Sequence, residues 1–261
     1  MTSPAALILR APGINCERET CDGFRRAGAA PEYVHVKRLL QEPRLLERFA
    51  ILAVPGGFAY GDDIAAGRVL AHSLRERIGA HLLAFVERGG LVLGICNGFQ
   101  VLVRVGLLPR TGGGPLRQEV TLAHNLSNHY ECRWVTLLTT KSRCAFLPEG
   151  MRMQVPAAHG EGYLVAKDAG FGRLLADEGY RTFVYVDADG VPTTRYPYNP
   201  NGSPDGVAGL TDCTGRVLGL MPHPDRSYLP THMPGWTRSG LAREGDGMFV
   251  FTAMVKEARG S

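Results

Sequence analysis

Leu91-Val-Leu-Gly-Ile-Cys96-Asn-Gly-Phe-Gln100 is the stretch on which the reading of this chain turns. The apolar run Leu91–Ile95 suits a strand buried on both faces, and a helical pattern over Asn97–Val105 starts with no turn residues between. Gly94 and Gly98 flank Cys96 at −2 and +2, the thiol counterpart of the G-x-S-x-G nucleophile elbow. A strand that turns directly into a helix strains the residue at the apex and packs the chain tightly around it, so its neighbours must lack Cβ. The sulfur then stands at the carboxyl end of a strand, where a helix N-terminus favours thiolate. A buried structural cysteine between two turn glycines would give the same local pattern, so the rest of the chain must decide.

Working toward the N-terminus, strand-like and helix-like segments alternate. Ala6–Leu9, Tyr33–Val36 and Ile51–Val54 read as strands. A helix is expected after Asn15 as N-cap, with Glu17 and Glu19 in its first turn and Gly28 at its end. Leu39–Phe49 reads as a helix interrupted near Pro43, and about 65–88 as a long helix closed by Gly89-Gly90. Such alternation predicts an α/β fold: an open, mostly parallel sheet with helices on both faces, flavodoxin-like in kind. Beyond Gly106 turn formers multiply and the expected strands shorten to Tyr130–Leu138, Met151–Val155, Thr182–Val186, Val207–Thr211 and Val217–Met221. A terminal helix is expected over about 245–259. No repeat or linker interrupts residues 1–261, which are read as one domain.

Composition narrows the function. The 261 residues carry 29 Lys and Arg against 25 Asp and Glu, a net charge of +4. Its densest basic pairs, Arg25-Arg26 and Lys37-Arg38, are too short for a nucleic-acid stripe. Apolar runs are far below the ~20 residues that span a bilayer, and no signal peptide is legible, so a cytoplasmic protein with reduced thiols is expected, with neither nucleic acid nor membrane as partner. There is no G-x-x-x-x-G-K-[ST], C-x-x-C or H-E-x-x-H, so neither a nucleotide-phosphate site nor a metal site is expected.

A nucleophilic thiol needs a base and an orienter for it. Met221-Pro-His223-Pro-Asp225 is the best source: its prolines exclude helix, and in an extended chain residues i and i+2 face one side. Asp225 would then hold the His223 tautomer and stabilise its protonated form. By itself this segment reads more readily as a turn with a surface histidine, and the elbow reverses that preference. The loop Val54-Pro55-Gly-Gly-Phe-Ala-Tyr-Gly61-Asp62-Asp63 can turn a backbone N–H toward the reacting centre. With the N–H of Asn97 it would make an oxyanion hole. His124 and His129 are read as polar surface or substrate contacts.

These residues together resemble the class I (triad-type) glutamine amidotransferases. The fuller set of words resembles more narrowly the PurQ-type glutaminases of formylglycinamide ribonucleotide amidotransferase. Those words are Ala11-Pro-Gly-Ile-Asn-Cys16, Gly56-Gly-Phe-Ala-Tyr-Gly-Asp62, Cys96-Asn-Gly-Phe-Gln100, Ala157-Ala-His159-Gly-Glu161-Gly, Asn199-Pro-Asn-Gly-Ser203 and Gly219-Leu-Met-Pro-His223-Pro. The resemblance implies Cys96 as nucleophile on L-glutamine, His223 as proton shuttle, Asp225 as orienter, and Gly57 and Asn97 as oxyanion donors. Gln100, one helical turn beyond Cys96, is expected against the substrate together with Phe58, His129 and Tyr130. It further implies an ATP-binding synthetase partner, a small bridging subunit as an additional one, and no cofactor in this chain, ATP and Mg being the partner's. His159 and Glu161 receive no role.

Two features depart from that pattern. The family's usual glutamate is Asp225 here, one methylene shorter, which predicts looser orientation rather than inactivity. Residues 227–245 are longer than expected, either a partner-facing elaboration or a solvated connector. Two other readings remain: a stand-alone thiol amidase or γ-glutamyl hydrolase, and a non-catalytic regulatory subunit that keeps the elbow for structure.

Overall fold

Four short apolar segments, Ala5–Arg10 (β1), Ile51–Val54 (β3), Leu91–Ile95 (β4) and Val217–Leu220 (β11), have almost no exposed residue and form the centre of a nine-stranded sheet. The computed structural model describes residues 2–62 and 64–260, so Asp63 of the glycine loop lies outside the described residues. The other elements are Glu17–Arg26 (α1), Ala30–His35 (β2), Val36–Gln41 (α2), Arg68–Glu87 (α3), Asn97–Val105 (α4), Val120–His124 (β5), Glu131–Thr139 (β6), Arg152–His159 (β7), Glu161–Ala166 (β8), Ala169–Asp177 (α5), Arg181–Val186 (β9), Val207–Thr211 (β10), Trp236–Ser239 (α6) and Met248–Gly260 (α7).

Strand order is β2-β1-β3-β4-β11-β10-β9-β6-β7. The first five run parallel and the last four continue as an antiparallel meander, which leaves only β10 and β6 opposed to the rest. The chain passes from β1 outward to β2 and from β3 the other way to β4. With right-handed crossovers, α1 and α3 therefore cover opposite faces. On the α1 face Phe24 meets Phe251 of α7 edge-on, with ring centroids 5.0 Å apart. The reversal of direction opens a crevice at the carboxyl ends of β1 and β3, where open α/β sheets place their sites. Loops from both strands meet there: Asn15 N–H and Cys16 N–H donate to Gly56 O, and Phe58 N–H donates to Gly13 O.

The differences from the sequence reading have local causes. Cys16 rather than Asn15 is the N-cap of α1, with no side-chain capping bond, because Asn15 is held in the loop pairing with Gly56. Strand β2 begins three residues earlier than expected and ends at His35, whose Nδ1 accepts from Lys37 N–H and starts α2. Beyond Pro43 the chain is a 3-10 turn, Pro43–Arg48. Unanticipated altogether were α5 and a separate ribbon of β5 paired antiparallel with β8. Glycines 170 and 172 dilute the helical pattern of α5, yet Asp168 caps it by accepting from Phe171 N–H at 2.8 Å.

Candidate active site

Cys96 sits between β4 and α4 with φ 52° and ψ −109°, a backbone conformation that costs a non-glycine residue about 1–3 kcal/mol. Its surroundings hold it there. Cys96 N–H donates to Leu220 O on β11 at 2.8 Å, and its carbonyl accepts from Gln100 N–H at 3.1 Å. A Cβ on Gly98 would lie 1.8 Å from Val54 O, and one on Gly94 would lie 2.6 Å from Leu102 Cδ1. Cys96 is 6% exposed, and its thiol donates to Ala158 O at 3.6 Å.

His223 arrives from the end of β11, anchored by donation of its N–H to Pro156 O at 2.7 Å. Its Nδ1 lies 3.0 Å from Asp225 Oδ1, both side chains being buried. The sequence reading had the pair sharing one side of an extended segment. Instead Pro224–Arg226 is one turn of 3-10 helix, and the turn brings the shorter carboxylate back within hydrogen-bond distance of the ring. Thr20 Oγ1 holds the far oxygen of Asp225 at 3.3 Å. A methyl placed on Gly56 would be 2.8 Å from His223 Cε1 and 3.5 Å from Cys96 Cβ, so the ring and the cysteine side chain share one small space across that glycine. Burial opposes protonation of His223, but the charges of Cys96 and Asp225 and a contact with Cys16 outweigh it and raise its pKa well above the ordinary histidine value.

Gly57, at φ 143°, approaches so closely that a Cβ would lie 2.6 Å from Gly13 O. Asn97 opens α4, where the first amides have no intrahelical acceptor. Its side chain joins loop to helix, accepting from Ala59 N–H at 3.0 Å and donating to Asp62 Oδ1 at 3.1 Å. Gly57, Phe58, Cys96, Gln100, Tyr130 and the segment 158–161 line a cavity of about 240 Å³. Phe58 and Tyr130 are the exposed aromatics at its mouth. Gln100 is buried in the wall, donating to Glu161 O at 2.7 Å and accepting from Asn97 Nδ2. His129 does not line the cavity: it is an exposed loop residue whose carbonyl accepts from Asn125 Nδ2, and His124 lines the wall instead. A larger depression of about 560 Å³ along α3 contains no thiol and no part of this constellation.

His159 belongs to a buried polar cluster that sequence reasoning quoted but left without a purpose. Asn125 donates from Nδ2 to both His129 O and His159 O, its Oδ1 lies 3.1 Å from His159 Nδ1, and its N–H donates to Gly160 O. Asn201 donates to the Tyr185 hydroxyl, Asn199 donates to Ser203 O, and Ser203 Oγ links Gly162 O with Leu164 N–H. These bonds fix the β7–β8 turn, whose carbonyls at 158 and 161 face Cys96 and Gln100. Burial pushes the His159 pKa down to about 3, with the charge of His223 adding to the effect. His159 is thus neutral when folded, and its contribution to stability, present above about pH 6.5, is lost as pH falls toward 3. We expect the urea midpoint to fall across that window, and to fall less steeply in His159→Gln; equal slopes would remove His159 as a source of acid lability.

Cys16, His223 and Asp225 place one possible metal-ligand atom each within 4.8 Å of one another. Arg226 Nη2 lies 3.0 Å from Cys16 Sγ and supplies the positive charge a cation would bring, so the donor set does not call for a metal. All six cysteines are free thiols.

With a thiol at a strand-to-helix apex and an imidazole–carboxylate dyad across one glycine from it, fold and site together define a cysteine-dependent amidotransferase. The chain belongs to the CobB/CobQ-like glutamine amidotransferase domain family, which it matches over residues 3–256. It is 44% identical over 262 residues to phosphoribosylformylglycinamidine synthase subunit PurQ of Dehalococcoides mccartyi, covering 99% of each chain. It is 37% identical over 246 residues to human phosphoribosylformylglycinamidine synthase, covering 87% of this chain and 18% of that one. A chain in the structure of PurLQS from Thermotoga maritima matches with a TM-score of 0.72 at 29% identity, covering 98% of this chain and 99% of that chain.

Proposed function

We propose that this chain, as a single amidotransferase domain, is the glutaminase subunit of a phosphoribosylformylglycinamidine synthase in purine biosynthesis. The observation that carries the reading is the strained Cys96 facing the His223–Asp225 pair across Gly56, in a chain that aligns end to end with a PurQ subunit. In this reading Cys96, its proton passed to His223, attacks through Sγ the side-chain amide carbon of L-glutamine, and the oxygen takes the negative charge opposite the N–H groups of Gly57 and Asn97. The C–N bond breaks as His223 gives its proton to the leaving nitrogen, releasing ammonia and leaving a γ-glutamyl thioester. Water, losing a proton to His223, attacks the thioester through a second oxyanion and frees glutamate and the thiol. Asp225 holds the imidazole throughout, and Thr20 holds Asp225. Phe58, Tyr130 and Gln100 would border the bound substrate.

Ammonia released by a free glutaminase is lost, so the product is passed to an ATP-binding synthetase partner that acts on formylglycinamide ribonucleotide in the cytoplasm, with or without a small bridging subunit. ATP and Mg belong to that partner. Among the described residues no helix is long and apolar enough to cross a membrane.

Co-purification with the synthetase followed by a coupled assay tests both halves. Glutamine-dependent product formation, stimulated glutaminase and a fall of roughly 10²–10⁴-fold for Asp225→Ala are expected. Full glutaminase rate in the isolated chain with no stimulation by any synthetase would favour a stand-alone amidase. An Asp225→Ala chain as active as the parent would take Asp225 out of the machinery.

A further inference from the structure

Cys16 is a second buried thiol beside the catalytic pair, and the reaction above does not use it. It caps α1 and is 1% exposed. Its Sγ–H donates to Asn15 Oδ1 at 3.2 Å, and Arg226 Nη2 donates to the sulfur at 3.0 Å. The sulfur thus accepts from Arg226 and lies within 4.8 Å of a ring nitrogen of His223. Its carbonyl accepts from Thr20 Oγ1 at 2.8 Å, and that hydroxyl also faces Asp225. Gly56 completes the packing: a Cβ there would be 3.4 Å from Cys16 Sγ and 3.5 Å from Cys96 Cβ. The imidazole is therefore flanked by one sulfur from the start of α1 and another from the start of α4. Only the second borders the substrate cavity.

We propose that Cys16, paired with Arg226, is a positioning residue for His223, holding the imidazole between two sulfur atoms as it passes a proton to the leaving nitrogen. The inference rests on the glutaminase reading and deepens it. Asp225 can orient the ring only from the Nδ1 side; Cys16 supports it from the side where α1 meets Gly56. Burial outside the cavity keeps the Cys16 sulfur from competing as nucleophile. The contact also gives the Ala11–Cys16 segment a purpose: the loop pairing of Asn15 and Cys16 with Gly56 sets the sulfur's position. The groups that bear on His223 are Asp225 and Arg226 on its own turn, Cys16 on α1, Cys96 on α4, His159 on β7 and Tyr130 at the cavity mouth.

The test is the pH profile of glutamine hydrolysis by the full-length chain with its synthetase, comparing Cys16→Ala, Cys16→Ser and Arg226→Met. Loss of Cys16 should lower kcat about tenfold, leave KM within about twofold, and move the alkaline limb down by about one pH unit. Cys16→Ser, which keeps a polar acceptor, should recover part of the loss, whereas Arg226→Met, which removes a cation from beside the Cys16 sulfur, should move the limb up. A second measurement needs no glutamine: the pH dependence of Cys96 alkylation by iodoacetamide in the full chain, followed by peptide mass spectrometry. Its midpoint should rise in Cys16→Ala. If this midpoint shifts while no chain hydrolyses glutamine, the functional reading fails and the positioning role stands. Limbs and midpoints that superimpose on the parent's in folded variants, whatever happens to kcat, would reduce Cys16 to packing and overturn the proposal. Should Cys16→Ala not fold, Cys16→Ser, which is close in size to the parent side chain, puts the same question through a partial shift of limb and midpoint.

Discussion

Cys96→Ser is expected to abolish glutamine hydrolysis, with a loss on the order of 10⁴–10⁶ in kcat, while the folded chain keeps its stability to within about 1 kcal/mol. The hydroxyl is close in size to the thiol, so the packing against Ala158 O and the bond from Cys96 N–H to Leu220 O survive. A serine hydroxyl is far less acidic than a thiol, and His223, with Asp225 on Nδ1 and its pKa raised by the charge of Cys96, is poised for a sulfur partner. The chemistry is lost and the scaffold is not. Rapid acid quench with labelled glutamine should trap a covalent adduct on the parent and none on the variant. Hydrolysis within tenfold of the parent would show that the reaction does not pass through this thiol, and the reading of the site would fall with it.

Gly98→Ala is the second large effect, and it acts on the fold. A single methyl would have to occupy space 1.8 Å from Val54 O and 2.7 Å from Val54 C, both backbone atoms of β3. Neither can move without breaking the β3–β4 register, in which Val54 pairs with Gly94. The expected destabilisation exceeds about 4 kcal/mol, beyond the usual range of point substitutions, and shows as insoluble protein or a collapsed denaturation midpoint. Gly112→Ala provides the comparison. Nothing lies within 4 Å of its Cβ position and its backbone is not in the left-handed region, so a change within about 0.5 kcal/mol is expected. A Gly98→Ala chain as stable as Gly112→Ala would mean that the elbow has slack the geometry does not indicate.

Much of this architecture was legible before any coordinates. Ile51–Val54, Leu91–Ile95, Asn97–Val105 and Val207–Thr211 have the boundaries expected, because a strand buried on both faces must be apolar without interruption and the elbow leaves its turn no freedom. Beyond residue 106 the reading weakened. Strand β7 runs on to His159 rather than stopping at Val155, carrying Pro156 inside an edge strand that needs no N–H there. The β5–β8 ribbon has five- and six-residue strands whose pairing is set by contact, not by propensity. Residues 227–245 carry little internal signal, and the structure closes them at the base, where Gly245 N–H donates to Tyr228 O and Gly247 N–H to Ser227 O.

The same division runs through the site. Cys96, His223 and Asp225 could be singled out from the chain because each needs an unusual local sequence: two glycines around an apex, or two prolines around a histidine. His129 could not be told from His124 in the same way, since both sit in polar sequence and only packing decides which of them lines the cavity. Sequence by itself determined that this chain has a parallel sheet with a thiol perched on it and an imidazole somewhere to serve it, because those depend on local sterics and on burial. Tertiary structure alone decided that a 3-10 turn brings a short carboxylate to the ring, that Thr20 and Cys16 stand behind it, and that Asn125 fixes the wall opposite. Those partners lie up to 210 residues apart along the chain, and a hydrogen bond between distant residues leaves no periodicity for either one to display.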